Sequence, residues 1–435
     1  MCRNGAEVPA VNSMTPLSMT TTPSITGNTI QKEFTPSAGR ETTLLDLGSI
    51  PLVNQYHKTR QEALEAERYE LRAVIKEDKT IHLTVPVPPD ILYGGYRYNS
   101  KVNVPYKEHC KKMFESVRHL LCSPLKPVET IIDIGGNDGT LLKAFKESSE
   151  ETKVETFNIR KKPLNLINVD ASDSFAEDNE AAGITYVNAF FSDELDLPKA
   201  SLITSTNVFQ HTEDVHKFLR GIQKFLDGVW ILEFPYTLET LKTLQFDQFY
   251  HEHYYYWLAT PLVSLFKQYG LKIIGSERQS IHGGSLRLWI TNKTPSAPDG
   301  AAKNFVKIEE QFDYEQFNID VQTKIQEDKK FIASLKGKTA FFGAAAKGCV
   351  YLNALGIDIN QMPDSYIIDD TPNKQGYFVG GTGFKILNRE HLFQDQPDNL
   401  IVLAHNFKDY ITESLCPQYK GQIITMFPEI TIESI

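Results

Sequence analysis

Paired cysteines are missing from this chain of 435 residues. Its five, Cys2, Cys110, Cys122, Cys349 and Cys416, are odd in number and none lies in a C-x-x-C pair, which leaves no metal knuckle or dithiol redox motif. Free thiols point to a reducing cytoplasm. An excess of basic charge is also missing. The formal net charge is −10, so a nucleic-acid backbone is not an expected partner. No apolar run exceeds strand size, so no membrane partner is expected either. Residues 1–40 are rich in Thr, Ser and Pro and lack both a hydrophobic period and the apolar core of a signal peptide; they are expected to form a disordered tail.

What is present is 41% apolar residues over a length that allows two or three cores. Over 41–105, short alternating segments broken by Pro and Gly predict a small β-rich module ending in Tyr93, Tyr96 and Tyr98, which on composition alone pack it against a neighbour. From 106 the pattern turns helical. "VETIIDIGGNDGTLLKAFKE" then supplies a strand, a glycine-rich turn and a helix, the opening of a doubly wound sheet.

Gly135, Gly136 and Gly139 permit a sharp turn and close approach to a ligand, with Asn137 among them and Asp133 and Asp138 beside them. Acids here would repel a pyrophosphate, so a cationic or neutral ligand such as S-adenosylmethionine fits better. This also weighs against hydride transfer from a dinucleotide. The next strand, "NLINVD", ends in Asp170, where such sheets hold ribose hydroxyls. "ASLITSTNVFQH" places Asn207, Gln210 and His211 at a further carboxyl edge, although His211 alone is equally a capping or core histidine.

After the buried strand "GVWILEFP" comes "FDQFYHEHYYYW", residues 246–257. In an extended segment His251 and His253 would share a face, with Glu252 on the other. This is not the H-E-x-x-H of zinc proteases and has no third ligand at helical spacing, so a general base is favoured over a metal. From about 296 a second unit restarts. "GKTAFFGAAAKGCVYLNALG" reads as strand, small-residue loop and helix, whose N-terminal amides with Lys347 suit a diphosphate, and "SYIIDDTPNKQG" as a strand ending in acids.

Taken in order, "DIGGNDGTLLKAF", "NVFQHTEDV", "EFPYTLETL", "FDQFYHEHYYYW", "IHGGSLRLWI", "FFGAAAKGCVYLNALGI" and "IIDDTPNKQGYFVGG" resemble the S-adenosylmethionine-dependent C-methyltransferases of nucleotide-linked deoxysugars, over residues 41 to 435. The resemblance implies a Rossmann-like methyltransferase domain (106–295) followed by a second Rossmann-like α/β domain holding the nucleotide-sugar (296–435). It implies methyl transfer to C3 of a 4-keto sugar after a base makes an enolate. His253 would be that base, with Tyr250, Glu252 and His211 supporting it or polarising the ketone and Tyr98 reaching in. S-adenosylmethionine would lie on Asp133, Gly135, Asn137, Asp138, Gly139, Asp170, Asn207 and Gln210. The substrate would meet His251, His282, Ser285, Arg287, Lys347, Asp370 and Lys374. A monomer or homodimer is expected.

One departure stands out. The family usually opens with a zinc module of two C-x-x-C pairs, and here Ile75 and Asp78 align with cysteines of the second. Isoleucine has no donor atom, so no structural zinc is expected and apolar packing must hold the module. Two alternatives remain open: methyl transfer to oxygen or nitrogen of another small molecule, and a catalytically silent nucleotide-sugar-binding relative.

Overall fold

The computed structural model describes residues 40–88, 91–92, 104–121, 129–155, 164–293 and 301–434. The expected tail, but for Arg40, and the three tyrosines Tyr93, Tyr96 and Tyr98 lie outside the described residues.

The chain opens with β1 (Glu41–Pro51), β2 (Tyr56–His57), α1 (Arg60–Leu64), β3 (Arg68–Lys76) and β4 (Ile81–Leu83). β1, β3 and β4 pair antiparallel. Leu44, Leu45, Ile50, Leu71, Ala73 and Ile81 are buried, and large aliphatic side chains each contribute about 1.5–3 kcal/mol on such burial. Ile75 is buried in the same core. Asp78 accepts the Thr80 N–H at 2.9 Å and shapes the β3–β4 turn. The positions aligned with zinc ligands therefore serve packing and a turn. Among the described residues no cluster of three or more His, Cys, Asp or Glu could hold a metal ion, and the residues present do not fit a thiolate site.

α2 (Val104–Leu121), β5 (Thr130–Ile134), α3 (Thr140–Glu155), β6 (Asn165–Asp170), α4 (Ala176–Glu180), β7 (Thr185–Asn188), β8 (Ala200–Thr206), α5 (Val215–Phe225) and β9 (Leu226–Pro235) alternate strand and helix. α6 (Thr237–Lys242), β10 (Tyr255–Tyr256), α7 (Ala259–Gln268), β11 (Lys272–Gln279) and β12 (Ser285–Thr291) follow. Seven strands form one sheet in the order β11-β12-β9-β8-β5-β6-β7. β5 to β9 run parallel, and β12 and β11 close the edge antiparallel. Helices cover both faces of a parallel sheet, which is why Ile131, Ile132 and Ile134 of β5 are all buried although they point to both faces. The strand order reverses at β5, between β6 and β8, and ligands of such sheets bind outside the carboxyl ends at that point.

The last stretch holds α8 (Ala301–Glu309), α9 (Tyr314–Ser334), β13 (Thr339–Phe342), α10 (Ala346–Leu355), β14 (Ile367–Ile368), β15 (Phe378–Val379), β16 (Ile386–Leu387), α11 (Arg389–Asp395), β17 (Asn399–Val402), α12 (Lys408–Leu415), β18 (Gln422–Thr425) and β19 (Thr431–Ser434). Its sheet runs β16-β14-β13-β17-β18-β19, parallel except for β19. The fold is therefore α/β with two Rossmann-like sheets and a small β-rich module before them, as the sequence predicts. The small sheet is not closed on residues 41–105, however. Its fourth strand is β10, paired antiparallel with β4, while β2 pairs with β15 of the C-terminal region. Among the described residues no helix is long and apolar enough to cross a membrane.

Candidate active site

The turn after β5 forms the first half of the site. Gly135 has φ +65°, and a Cβ there would lie 2.3 Å from Val208; a Cβ on Gly136 would lie 2.7 Å from Asp133 Oδ2. Only glycine fits both positions. Asn168, fully buried, accepts the Gly136 N–H at 3.1 Å and donates to the Asn137 carbonyl at 2.9 Å, so the strand beside the turn fixes its shape. Asp170 accepts N–H bonds from Asn137 and Ser172, both at 2.9 Å.

Burial lifts the Asp133 carboxyl to about 7; a hydrogen bond from Thr204 opposes this and the charge of Asp170 adds to it. Oδ2 of Asp133, Oδ2 of Asp138, Oδ1 of Asn207 and Oε1 of Gln210 are all buried without a hydrogen-bond partner. Unmet acceptors are costly, and gathered around a carboxyl edge they suit a ligand rich in positive charge and donors. Asn207 also sits at φ +56° and Asn137 at φ +52°, backbone strain of the kind that concentrates at ligand sites. The residues therefore fit S-adenosylmethionine, and Asp133, Gly135, Asn137, Asp138, Gly139, Asp170, Asn207 and Gln210 are brought together as expected.

The second half is the turn after β9. Residues 250–253 are not extended: the His253 N–H bonds the Tyr250 carbonyl at 3.0 Å, and the Tyr256 hydroxyl bonds both the N–H and carbonyl of Tyr250. This corrects the expectation of two imidazoles on one face. His251 is instead fully buried against β3, with its Nε2 donating to the Tyr69 carbonyl at 3.2 Å. A turn, unlike a strand, sends residues two apart in different directions, and His251 is thereby removed from the substrate-binding group.

His253 faces the site. It lies against Tyr250, ring centroids 4.0 Å apart, and edge-on to His211 at 4.7 Å. It lines a narrow cavity with Gln210, Pro235, Thr237, Gln248 and Tyr256. Burial, with the nearby His211 and Lys347, holds its pKa well below the ordinary histidine value, against a hydrogen bond to the Gln248 backbone, so the ring is neutral and free to accept a proton. The His211 Nδ1–H donates to the Glu252 carbonyl at 2.7 Å, which fixes the tautomer and leaves Nε2 as an acceptor; burial lowers its pKa to about 4. The Glu252 carboxyl, raised to about 7 by burial, accepts from Asn54 Nδ2 at 2.8 Å.

Several residues expected to meet the substrate are engaged by other parts of the chain. Arg287 is closed in a buried ion pair with Glu233, its register partner on β9, both at 2% exposure or less, and with His109 of α2 beside them. A guanidinium so enclosed does not meet a substrate. Ser285 is buried, and its hydroxyl donates back to Ile281 at 3.2 Å. Asp370 forms a two-pronged pair with Arg389 at 2.6 and 2.7 Å. Its neighbour Asp369, which sequence reasoning missed, holds the small-residue loop by accepting the Ala344 N–H at 2.9 Å. Lys374 donates to the Ala344 carbonyl at 3.0 Å and pairs with Asp369. The side chain of His282 and all of Tyr98 lie outside the described residues.

Lys347, at the start of α10, points toward Asp247 of the 246–257 stretch. Burial lowers its pKa, with the carboxylate of Asp247 acting against that. Asp247 is 1% exposed, and His405 Nδ1 lies 3.5 Å from it. Asp247, His405, Asn54 and Asn168 are the further residues that sequence reasoning passed over. Asp247 and Asn168 stood inside quoted stretches, whereas His405 and Asn54 had no signal beyond residue type.

A parallel sheet with a glycine turn ringed by acceptors, coupled to a buried neutral histidine and a second α/β sheet, defines a methyl-transferring enzyme of the Rossmann-like kind. Residues 106–275 match the family described as methyltransferase domain, and residues 280–428 the family described as C-methyltransferase C-terminal domain. Both matches, with the relative described next, support an S-adenosylmethionine-dependent C-methyltransferase. It is 26% identical over 414 residues to the C-methyltransferase NovU of Streptomyces niveus, covering 89% of this chain and 93% of that relative. Similar solved structures include a magnesium protoporphyrin IX methyltransferase from Synechocystis PCC 6803 (TM-score 0.33, 15% identity, 46% of this chain and 90% of that one). Another is an S-adenosylmethionine-dependent methyltransferase from Clostridium acetobutylicum ATCC 824 (TM-score 0.34, 13% identity, 44% and 93%).

Proposed function

We propose that the enzyme methylates C3 of a 4-keto sugar carried on a nucleoside diphosphate, with His253 as the base. The observation that carries this reading is the neutral, buried His253 at a cavity shared with Gln210, beside the glycine turn. The C3 proton passes to His253, and the electrons of the C–H bond move into the C4 ketone to give an enolate. S-adenosylmethionine, which Asp133, Asp170, Asn207 and Gln210 would hold, would supply an electrophilic methyl group for C3, with its sulfur as the leaving group that keeps the electron pair. His253 then returns the proton to solvent. Tyr250, tilted against His253, aligns the ring, and Glu252, whose carboxyl burial pushes up, polarises the ketone with its neighbour His211. Residues 296–435 would hold the nucleotide, with the α10 amides facing the diphosphate.

The test is mass spectrometry of the enzyme with S-adenosylmethionine and a panel of thymidine- and uridine-diphosphate 4-keto sugars in deuterated water. One added methyl and deuterium washed into C3, both lost in His253→Asn, is the expected result. Cofactor binding with no methyl transferred to any sugar would overturn the assignment and favour another acceptor.

A further inference from the structure

The small module meets the catalytic turn at His251, which bonds the Tyr69 carbonyl, and at Glu252, whose carboxyl it reaches through Asn54. Asn54 lies between β1 and β2 with φ +60°, and its Nδ2 donates to Glu252 Oε1 at 2.8 Å. Glu252 is 4% exposed, so this contact is made where water is scarce. The position of Asn54 is fixed from three sides. Two residues on, the Tyr56 hydroxyl donates to the Ala344 carbonyl at 2.6 Å, on the loop that precedes α10. β2 pairs with β15 in the register Tyr56 to Val379. β10, which follows the catalytic turn directly, pairs with β4 of the same module. Asn54 is thus held over Glu252 by strand pairings on both flanks.

We propose that Asn54 is the positioning residue of the reaction, holding Glu252 in place and setting the share of it that is ionised. The inference rests on the reading of the 250–253 turn as catalytic. An amide N–H donated to a carboxyl favours its ionised form, and in a buried site no water replaces that bond. Burial pushes the Glu252 carboxyl up and the Asn54 bond opposes it; the nearest ionisable groups are His251 and His253 beside it in the chain and His211 at its carbonyl, and burial holds all three below the ordinary histidine value. The module thereby delivers a hydrogen bond to the active site, and the left-handed backbone at Asn54 is what aims its amide.

Two variants separate this from a packing role. Asn54→Gly accepts the φ of +60° and deletes the donor, whereas Asn54→Asp keeps the shape and faces Glu252 with a second carboxylate. The first readout needs no turnover: the carbon-13 carboxyl signal of Glu252 in glutamate-labelled enzyme, assigned with Glu252→Gln, is followed against pH. The expected midpoint rises by about one unit in Asn54→Gly and further in Asn54→Asp, with unfolding temperature and cofactor binding unchanged. With an accepted sugar, kcat falls about tenfold, KM stays within twofold, and the pH limb governed by Glu252 moves up with the carboxyl signal. An unmoved Glu252 midpoint in both variants overturns the proposal. A wild-type enzyme that methylates no sugar overturns the functional reading but leaves the carboxyl titration to decide on Asn54.

Discussion

Single ionisable groups decide how this site responds to pH. Asp133 is raised to about 7 by burial, and a proton therefore sits on it in the free enzyme below that pH. A cationic cofactor stabilises the carboxylate, so binding must expel the proton. The affinity for S-adenosylmethionine is expected to be flat above about pH 7 and to fall up to tenfold per unit below it, measured by calorimetric titration from pH 5.5 to 8.5. Asp133→Asn should flatten the profile at the weaker affinity. At the base, His253→Asn removes the only proton acceptor proposed for C3. A loss of about 10²–10⁴-fold in kcat is expected for a general base, with cofactor affinity retained, and single-turnover methylation assays distinguish this from a binding defect.

The elements that carry these groups are held by contacts made outside themselves. α7 has no side-chain cap of its own at Leu258. Glu309 at the end of α8 supplies the cap instead. Fully buried, it accepts the Ala259 N–H at 2.7 Å, the Thr260 N–H at 2.8 Å and the Tyr236 hydroxyl at 2.7 Å. Tyr236 directly follows β9, so the same carboxylate steadies the approach to the catalytic turn. Glu309→Ala strands four donors, the Thr260 hydroxyl included, and is expected to lower stability by about 2–4 kcal/mol, read from urea unfolding. This capping was not legible in the sequence, because Glu309 and α7 are 50 residues apart and only tertiary structure joins them. By contrast, "IIDIGGNDG" could be read directly, since strand, turn and helix are neighbours in the chain and glycine announces its own backbone. The H-E-H stretch misled for the converse reason. Its aromatics suited a strand, but the Tyr256 hydroxyl folds it back on Tyr250. Arg287 failed likewise: nothing local discloses that Glu233 lies across the ladder from it.

Across the whole molecule, the catalytic stretch is shared by all three sheets. β10 completes the small sheet, the cavity opens at the carboxyl end of β9, and Asp247 faces Lys347 and His405 of the C-terminal region. Burial drives the Asp247 carboxyl up, with the Lys347 ammonium pulling it back. Because each member sits in a different region of the chain, this pair reports whether those regions form one cooperative body. Lys347→Met leaves a buried carboxyl without its cation and is expected to cost roughly 2–3 kcal/mol, the low side for a broken buried pair because Lys347 is only half-buried. Asp247→Asn alone should cost a similar amount. The double variant removes both charges, and its loss should fall at least about 1 kcal/mol short of the sum of the singles, measured by thermal unfolding at fixed pH. Simple additivity would mean that the two residues do not interact, and the C-terminal region would then owe its alignment with His253 to other contacts, among them the His405–Gln245 bond, the stacking of Phe246 on Tyr351 and the β2–β15 pairing.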